Sequence, residues 1–348
     1  MLSRVSIAAA IFSGVAFSQV TTPVGLNTTE GNAVFFHFQG TGRLFQSIDT
    51  TQAATPAVYT RFSLRRDGAS ATSVNYAART VDFALTLGPA NTAIVSGDLT
   101  ENMAGSTQVF PLTSVNMPDW TNPPGAPPAP FDFNITFAPY THGGGPLMWM
   151  MQYANSSTTA QTVFDREYNA YGSTAGVLIA GSVGCVATGR TVAFAHTTAI
   201  RNGGPATGAF GMHLQVTPTN APSSAPVLLS IDSVDSALTL PFLCRPLHAM
   251  PTVLLPLGTS SATGTLPVKH IVFGHNPSII GASLVTQLVS FDIGQPAPFL
   301  PLALSNGRTT TMGANPTLPC SAACYAFATS PATTGTMQFG GCGVAEFQ

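Results

Sequence analysis

Apolar and polar residues alternate one for one in short blocks along this chain. In "TVDFALTL", Val81, Phe83, Leu85 and Leu87 take one side while Asp82, Ala84 and Thr86 take the other. "FDFNITF" repeats the pattern, with Phe131, Phe133, Ile135 and Phe137 set against Asp132, Asn134 and Thr136. Successive side chains of an extended strand point to opposite faces, so each block predicts a half-buried β-strand. "AVFFHFQ", "AVYTRFSLR" and "LMWMMQYA" predict further strands in the first half. The second half continues with "TVAFAHT", "GMHLQVTP", "PVLLSID", "TVLLPL", "LPVKHIVF", "SLVTQLVSFD" and "PLALSNG". No stretch after residue 18 keeps a capped 3.6-residue period. The expected class is all-β, with two β-sandwich-like domains of the jelly-roll or immunoglobulin-like kind.

Turn residues punctuate these blocks at Asp67-Gly68 and at the glycines 143 to 145. The proline-rich "PDWTNPPGAPPAP", 118 to 130, has the stiffness of a linker. It reads better as a long loop, because "FDFNITF" and "LMWMMQYA" need partners that precede it. The expected division is an N-terminal domain over 19–172, a C-terminal domain over 173–313, and a Cys-rich tail over 314–348 packed on the C-terminal domain. No internal repeat is visible, so the two domains are expected to differ.

The first eighteen residues stand apart. Arg4 precedes an apolar run from Val5 to Val15, and Ala16 and Ser18 place small residues before Gln19. That is the pattern of a cleaved secretory signal peptide over 1–18. Removing it leaves about 330 residues, enough for two domains. No later stretch approaches about 20 uninterrupted apolar residues, so no membrane span is expected in the mature chain. Only 7% of residues are charged and the net charge is −2. Without a basic run, nucleic acid is not an expected partner. Five cysteines, Cys185, Cys244, Cys320, Cys324 and Cys342, are disulfide candidates in an exported protein, and the odd number leaves one thiol over.

Larger motifs add a resemblance. "SLRRDGASATSVNYAARTVDFALTLG" carries an Arg-Asp-Gly turn and a "YAARTV" strand, and "GAPPAPFDFNITFAPYTHGGGPLMWMMQYANSS" carries a proline-rich approach to an "APF" strand and a "Y…G-P-L" hairpin. In these the first half resembles large families of uncharacterised secreted proteins of planctomycete-type bacteria. The second half resembles a domain common in the same proteins through Gly184-Cys185, "APVLLSI", Cys244, "HNPSIIGASLVTQ" and "LALSNG". The resemblance implies export, two β domains and a role at or outside the cell surface. It also implies a Cys185–Cys244 bridge; apart from the resemblance, the oxidising compartment makes Cys342 with Cys320 or Cys324 the expected second bridge, leaving the fifth thiol free or intermolecular. It carries over no catalytic residue.

Several stretches invite a chemical reading. "KHIVFGHNP", 269 to 277, holds the chain's single lysine and two of its seven histidines. On a strand, residues five apart point to opposite faces and lie about 16 Å apart. His270 and His275 are therefore expected to be structural: His270 on a strand face with Val268 and Val272, His275 at the turn. His142-Gly143-Gly144-Gly145 has the letters of an esterase oxyanion loop, but no G-x-S-x-G elbow accompanies it. A glycine-rich hairpin turn is expected there. Cys320, Cys324 and Cys342 could supply three thiolates to zinc, yet no histidine follows Cys320 to complete the set.

Among the carboxylates, Asp165 and Glu167 flank Arg166, Asp232 and Asp235 sit in "SIDSVDSALT", and local ion pairing or solvated turns are expected. Asp232, Asp235, or Asp98 with Glu101, are the residues that a loop Ca²⁺ site would use. Otherwise no cofactor or metal is expected. Exposed aromatic rings stack on sugars, and Trp120, Tyr140, Trp149 and Tyr153 are the candidates, with core packing the competing role for Trp149 and Tyr153. The expected function is non-enzymatic: a secreted or cell-surface protein with a structural, adhesive or glycan-binding role, partnered by extracellular glycans or envelope components. The alternative is an extracellular polysaccharide hydrolase using paired carboxylates.

Overall fold

A computed structural model describes residues 19–38, 42–68, 77–122, 126–158, 162–168, 172–202, 212–273, 277–313, 323–329, 332–339 and 341–348. The expected signal segment 1–18 lies outside them. The regular secondary structure of the described chain is almost entirely antiparallel β, with two single-turn 3₁₀ segments at Glu101–Met103 and Pro277–Ile279. No helix among the described residues is long and apolar enough to cross a membrane.

A six-stranded sheet forms one layer of the first half. Its strands run Thr336–Phe339, Ala323–Thr329, Arg43–Asp49, Leu147–Ala154, Arg79–Pro89 and Thr107–Met117. Against it pack a four-stranded sheet (Val20–Thr22, Ala345–Phe347, Ala57–Leu64, Phe133–His142) and a three-stranded one (Ala33–His37, Thr162–Tyr168, Gly341–Gly343). The alternating residues Val81, Phe83, Leu85 and Leu87 are all fully buried in the core between these layers. They meet Tyr59, Phe62, Phe133 and Phe347 from the opposite layer. Tyr59 and Phe62 are three residues apart, yet both face this core. A register irregularity between Tyr59 and Arg61 resets the alternation.

The second half repeats the two-layer scheme. Gly172–Ala175, Ala195–Asn202, Met212–Thr219, Lys269–Phe273 and Ile94–Ser96 form one sheet. Val177–Leu178, Arg308–Thr311, Ser283–Phe291, Pro226–Asp232 and Val253–Thr259 form the other, with Leu302–Leu304 paired to Ser283–Phe291. Leu214, Val216 and Ile271 from the first layer pack on Val227, Leu229 and Leu288 from the second.

Two exchanges depart from the expected division of the chain. The Cys-rich tail is built onto the first half rather than the C-terminal domain. Ala323–Thr329 pairs along the whole of Arg43–Asp49, and Ala345–Phe347 lies between Val20–Thr22 and Ala57–Leu64. The cause is burial: Ala345 and Phe347 are fully buried in the first core. Conversely, Ile94–Ser96 leaves the first half and pairs with Lys269–Ile271 as an edge strand of the second. A third apolar cluster sits there, with Leu44, Ile48, Met148 and Met150 from the outer face of the six-stranded sheet closing on Val95 and Leu99.

Candidate functional site

The aromatic residues put forward for sugar stacking lie mostly in the core. Trp120 is 3% exposed, and Trp149 and Tyr153 are fully buried. Trp149 packs on Phe45 and on Phe62, each at 5.3 Å between ring centroids. Tyr153 packs on Phe38 at 4.7 Å. Trp120 donates its indole Nε1–H to both oxygens of Asp132 at 2.8 Å, while its carbonyl accepts from Arg66 Nη1 at 2.7 Å. A ring must face solvent to stack on a sugar, so these three are structural. The reason is apolar area: the large rings fill a two-layer core best, and Asp132 satisfies the one polar atom of Trp120. Tyr140 alone stays half-buried, directly across from Tyr59 on the neighbouring strand.

Several charged and nucleophilic groups among the described residues are paired inside the fold. Lys269 is 5% exposed and donates to Ser96 Oγ at 3.1 Å and to Glu101. The single lysine thus ties the Lys269–Phe273 strand to Ile94–Ser96 and the 3₁₀ turn beside it. Ser96 N–H donates to Asn102 Oδ1 at 2.8 Å, and Asn102 Nδ2 donates to Gln46 Oε1 at 2.9 Å, extending the lock to the six-stranded sheet. His270 packs edge-on against His213 at 5.1 Å. Burial, with Arg201 nearby, pushes His270 down to about 3. Burial, His270 and Arg201 likewise hold His213 well below its ordinary value. His275 lies outside the described residues, so its relation to His270 is not part of this geometry.

Among the carboxylates, Asp165 is paired inside the fold, while Asp98, Asp232 and Asp235 accept local hydrogen bonds near the surface. Asp165 pairs with Arg65 rather than with adjacent Arg166, whose guanidinium lies 4.2 Å from the Tyr168 ring centre. Neighbours on a strand point to opposite faces, so Asp165 meets a guanidinium from a distant segment of the chain. Asp165 Oδ1 also accepts from Gly31 N–H at 2.9 Å, and burial nevertheless raises its carboxyl to about 6. Asp98 Oδ1 accepts from Thr100 N–H at 3.0 Å, and Asp232 Oδ1 accepts from Ser233 N–H at 2.6 Å. Asp235 Oδ1 accepts from Ala237 N–H at 3.1 Å and meets His248 Nδ1 at 2.8 Å. Among the described residues, no three His, Cys, Asp or Glu side chains gather as a metal site would require.

One pair that sequence reasoning missed has the letters of nucleophilic catalysis. Ser305 Oγ lies 3.0 Å from His196 Nδ1, and His196 Nε2 lies 3.1 Å from Thr286 Oγ1. Ser305 is fully buried and His196 is 1% exposed. Burial and then Arg308 hold the imidazole down to about 3, which removes the basicity that a general base needs. Ser305 Oγ also accepts from Leu288 N–H at 2.7 Å. The "LALSNG" motif therefore supplies a buried hub joining three strands.

Cys185 and Cys244 form a disulfide across 59 residues at the edge of the second core. Cys320 and the side chains of Cys324 and Cys342 lie outside the described part of the structure.

A groove of about 680 Å³ opens on the first half. Val20–Thr22 and the segment after it form one wall, residues 52 to 57 form the other, and Tyr59 contributes to the lining. Fully buried Asp49 braces the second wall. Its Oδ1 accepts from Thr51 N–H at 2.7 Å and from Thr51 Oγ1 at 2.6 Å, and its Oδ2 accepts from Gln52 Nε2 at 2.7 Å. The glycine triplet supports the same wall from behind. Gly145 N–H donates to Ala53 O at 2.7 Å, and a Cβ on Gly144 would collide with the Ala54 carbonyl. Gly144 and Gly145 have φ of +89° and +81°, so conformation favours glycine at both and space requires it at Gly144 as well.

This turn is not the hairpin expected from the sequence. Phe133–His142 and Leu147–Ala154 belong to different sheets, and the glycines carry the chain from one layer to the other. His142 meets Gly145 O through Nε2 at 3.1 Å and lies nearly parallel to Tyr59 at 6.2 Å. Among the described residues, no charged side chain lines the groove. Compared with known proteins, the sequence matches no family model and no curated protein.

Proposed function

We propose that this is an exported, non-enzymatic protein with a structural, adhesive or glycan-binding role at or outside the cell surface. The observation that carries the reading is the contrast between interior and surface. Arg65, Asp165, Lys269, His196 and Ser305 are each engaged within the fold, while the accessible groove has an uncharged lining. The Cys185–Cys244 disulfide supports an oxidising compartment. The Ala16-Phe17-Ser18 pattern before Gln19 and the resemblance to secreted bacterial proteins point the same way.

Non-reduced mass spectrometry of the protein recovered from its native compartment tests the export reading. The expected mass begins at Gln19 and contains an oxidised Cys185–Cys244 pair. An intact Met1 terminus or five free thiols would overturn it.

A further inference from the structure

We infer that the groove between residues 19–28 and 52–59 is a binding site for a neutral oligosaccharide. The inference deepens the extracellular recognition reading above and rests on it. A cavity of about 680 Å³ lies within the roughly 300–1,000 Å³ range of ligand-holding clefts. Its chemistry excludes most other occupants. An anionic or cationic ligand buried there would lose water without meeting an oppositely charged side chain among the described lining residues, which is costly. A wholly apolar ligand would cover hydroxyl and amide groups and leave them unsatisfied.

A sugar satisfies both halves of this lining. Asn27, Thr28 and Thr55 are exposed at the groove and offer donors and acceptors in either role. Val24, 54% exposed, and Pro56 present C–H surface beside them. A pyranose ring has hydroxyls around its rim and an apolar C–H face, which matches this interleaving. Exposed Val24 also gains a reason here, since a single buried sugar face would cover it.

The walls are held before any ligand arrives. Val24 N–H donates to Thr51 Oγ1 at 2.9 Å, and Gln52 Nε2 donates to Thr21 O at 3.2 Å, so the two walls are tied to each other. Asp49 fixes Thr51 and Gln52 from below, and Gly144-Gly145 fix residues 53 and 54 from behind. Preorganisation of this kind lowers the ordering cost of binding a flexible, weakly interacting ligand.

The test uses the full secreted chain on immobilised neutral oligosaccharides of the gluco-, manno-, xylo- and N-acetylglucosamine series. Wild type is expected to bind at least one series. Asn27→Ala/Thr55→Ala should weaken that binding about tenfold through two lost hydrogen bonds. Val24→Lys, at an exposed position, should weaken it without disturbing the fold. Thr113→Ala, on the exposed Thr107–Met117 strand of the other sheet, should leave it unchanged. Binding that survives both groove variants overturns the groove assignment while the glycan-binding reading stands. Failure of wild type to bind any series overturns the inference and the glycan-binding reading together.

Discussion

Arg65 Nε donates to Asp165 Oδ2 at 2.7 Å, and neither side chain is exposed. One hundred residues of sequence separate the two. The guanidinium also donates to Thr29 O at 2.5 Å and lies 4.8 Å from the Phe131 ring centre. One buried ion pair therefore gathers the start of the chain, the Arg-Asp-Gly turn, the proline-rich loop's exit and the Thr162–Tyr168 strand.

Removing one partner strands the other's charge in the core. Arg65→Met should cost about 3 to 5 kcal/mol of unfolding free energy, whereas Arg65→Met/Asp165→Leu should recover much of it. Urea denaturation of the three proteins checks this. Equal losses in the single and double variants would show that packing, not charge, dominates.

Acid should destabilise the protein well before most carboxylates titrate. His196 and His270 are pushed from an ordinary 6.5 down to about 3, and His213 moves in the same direction, all through burial first. A group with a depressed native value contributes stability above its unfolded value and loses it as pH falls toward the native one. Asp165 acts oppositely. Raised from 3.8 to about 6, its contribution is full below 3.8 and fades as pH rises through 6. Three histidines outweigh one carboxyl, so Tm should fall steadily from pH 6.5 toward 4. His196→Gln should flatten that slope, and a Tm constant across this window would count against the assignment.

The disulfide closes a 59-residue separation, for which loop entropy gives about 4 kcal/mol. Cys185→Ser/Cys244→Ser should lower stability by about that amount, with the loss confined to the second half's core. Hydrogen exchange resolved by peptide checks the location. Uniform deprotection of both halves would show that the bridge stabilises the whole molecule.

The glycine triplet offers a comparison between neighbours. Gly145→Ala meets open space and should cost only the left-handed conformation, about 1 to 2 kcal/mol. Gly144→Ala meets the Ala54 backbone as well and should cost about 2 to 5 kcal/mol. Thermal melting checks the order. The Gly144 variant should also lose oligosaccharide affinity, because the wall it supports must move.

Strand identity was legible in the sequence because a period of two directly reports which side chains face a core. Val81 to Leu87 shows this, with all four alternating residues buried as expected. Pairing was not legible. Nothing in "AIVS" marks Ile94–Ser96 for a sheet whose nearest partner strand lies more than 170 residues later, and nothing in "VAEF" assigns it to the first core. Strand neighbours are chosen by three-dimensional complementarity, which local alternation does not encode. The same limit hid the partners of Asp165 and Lys269. For the groove, the glycine triplet was visible as a turn, but its task of bracing residues 53 and 54 depends on a contact between distant segments.

We propose that this chain recognises and does not cleave. Reducing-end release during prolonged incubation with a bound neutral polysaccharide tests it most directly. The prediction is a constant number of reducing ends while the polysaccharide stays bound. A rise proportional to protein concentration, abolished by unfolding the protein, would contradict it and favour the hydrolase.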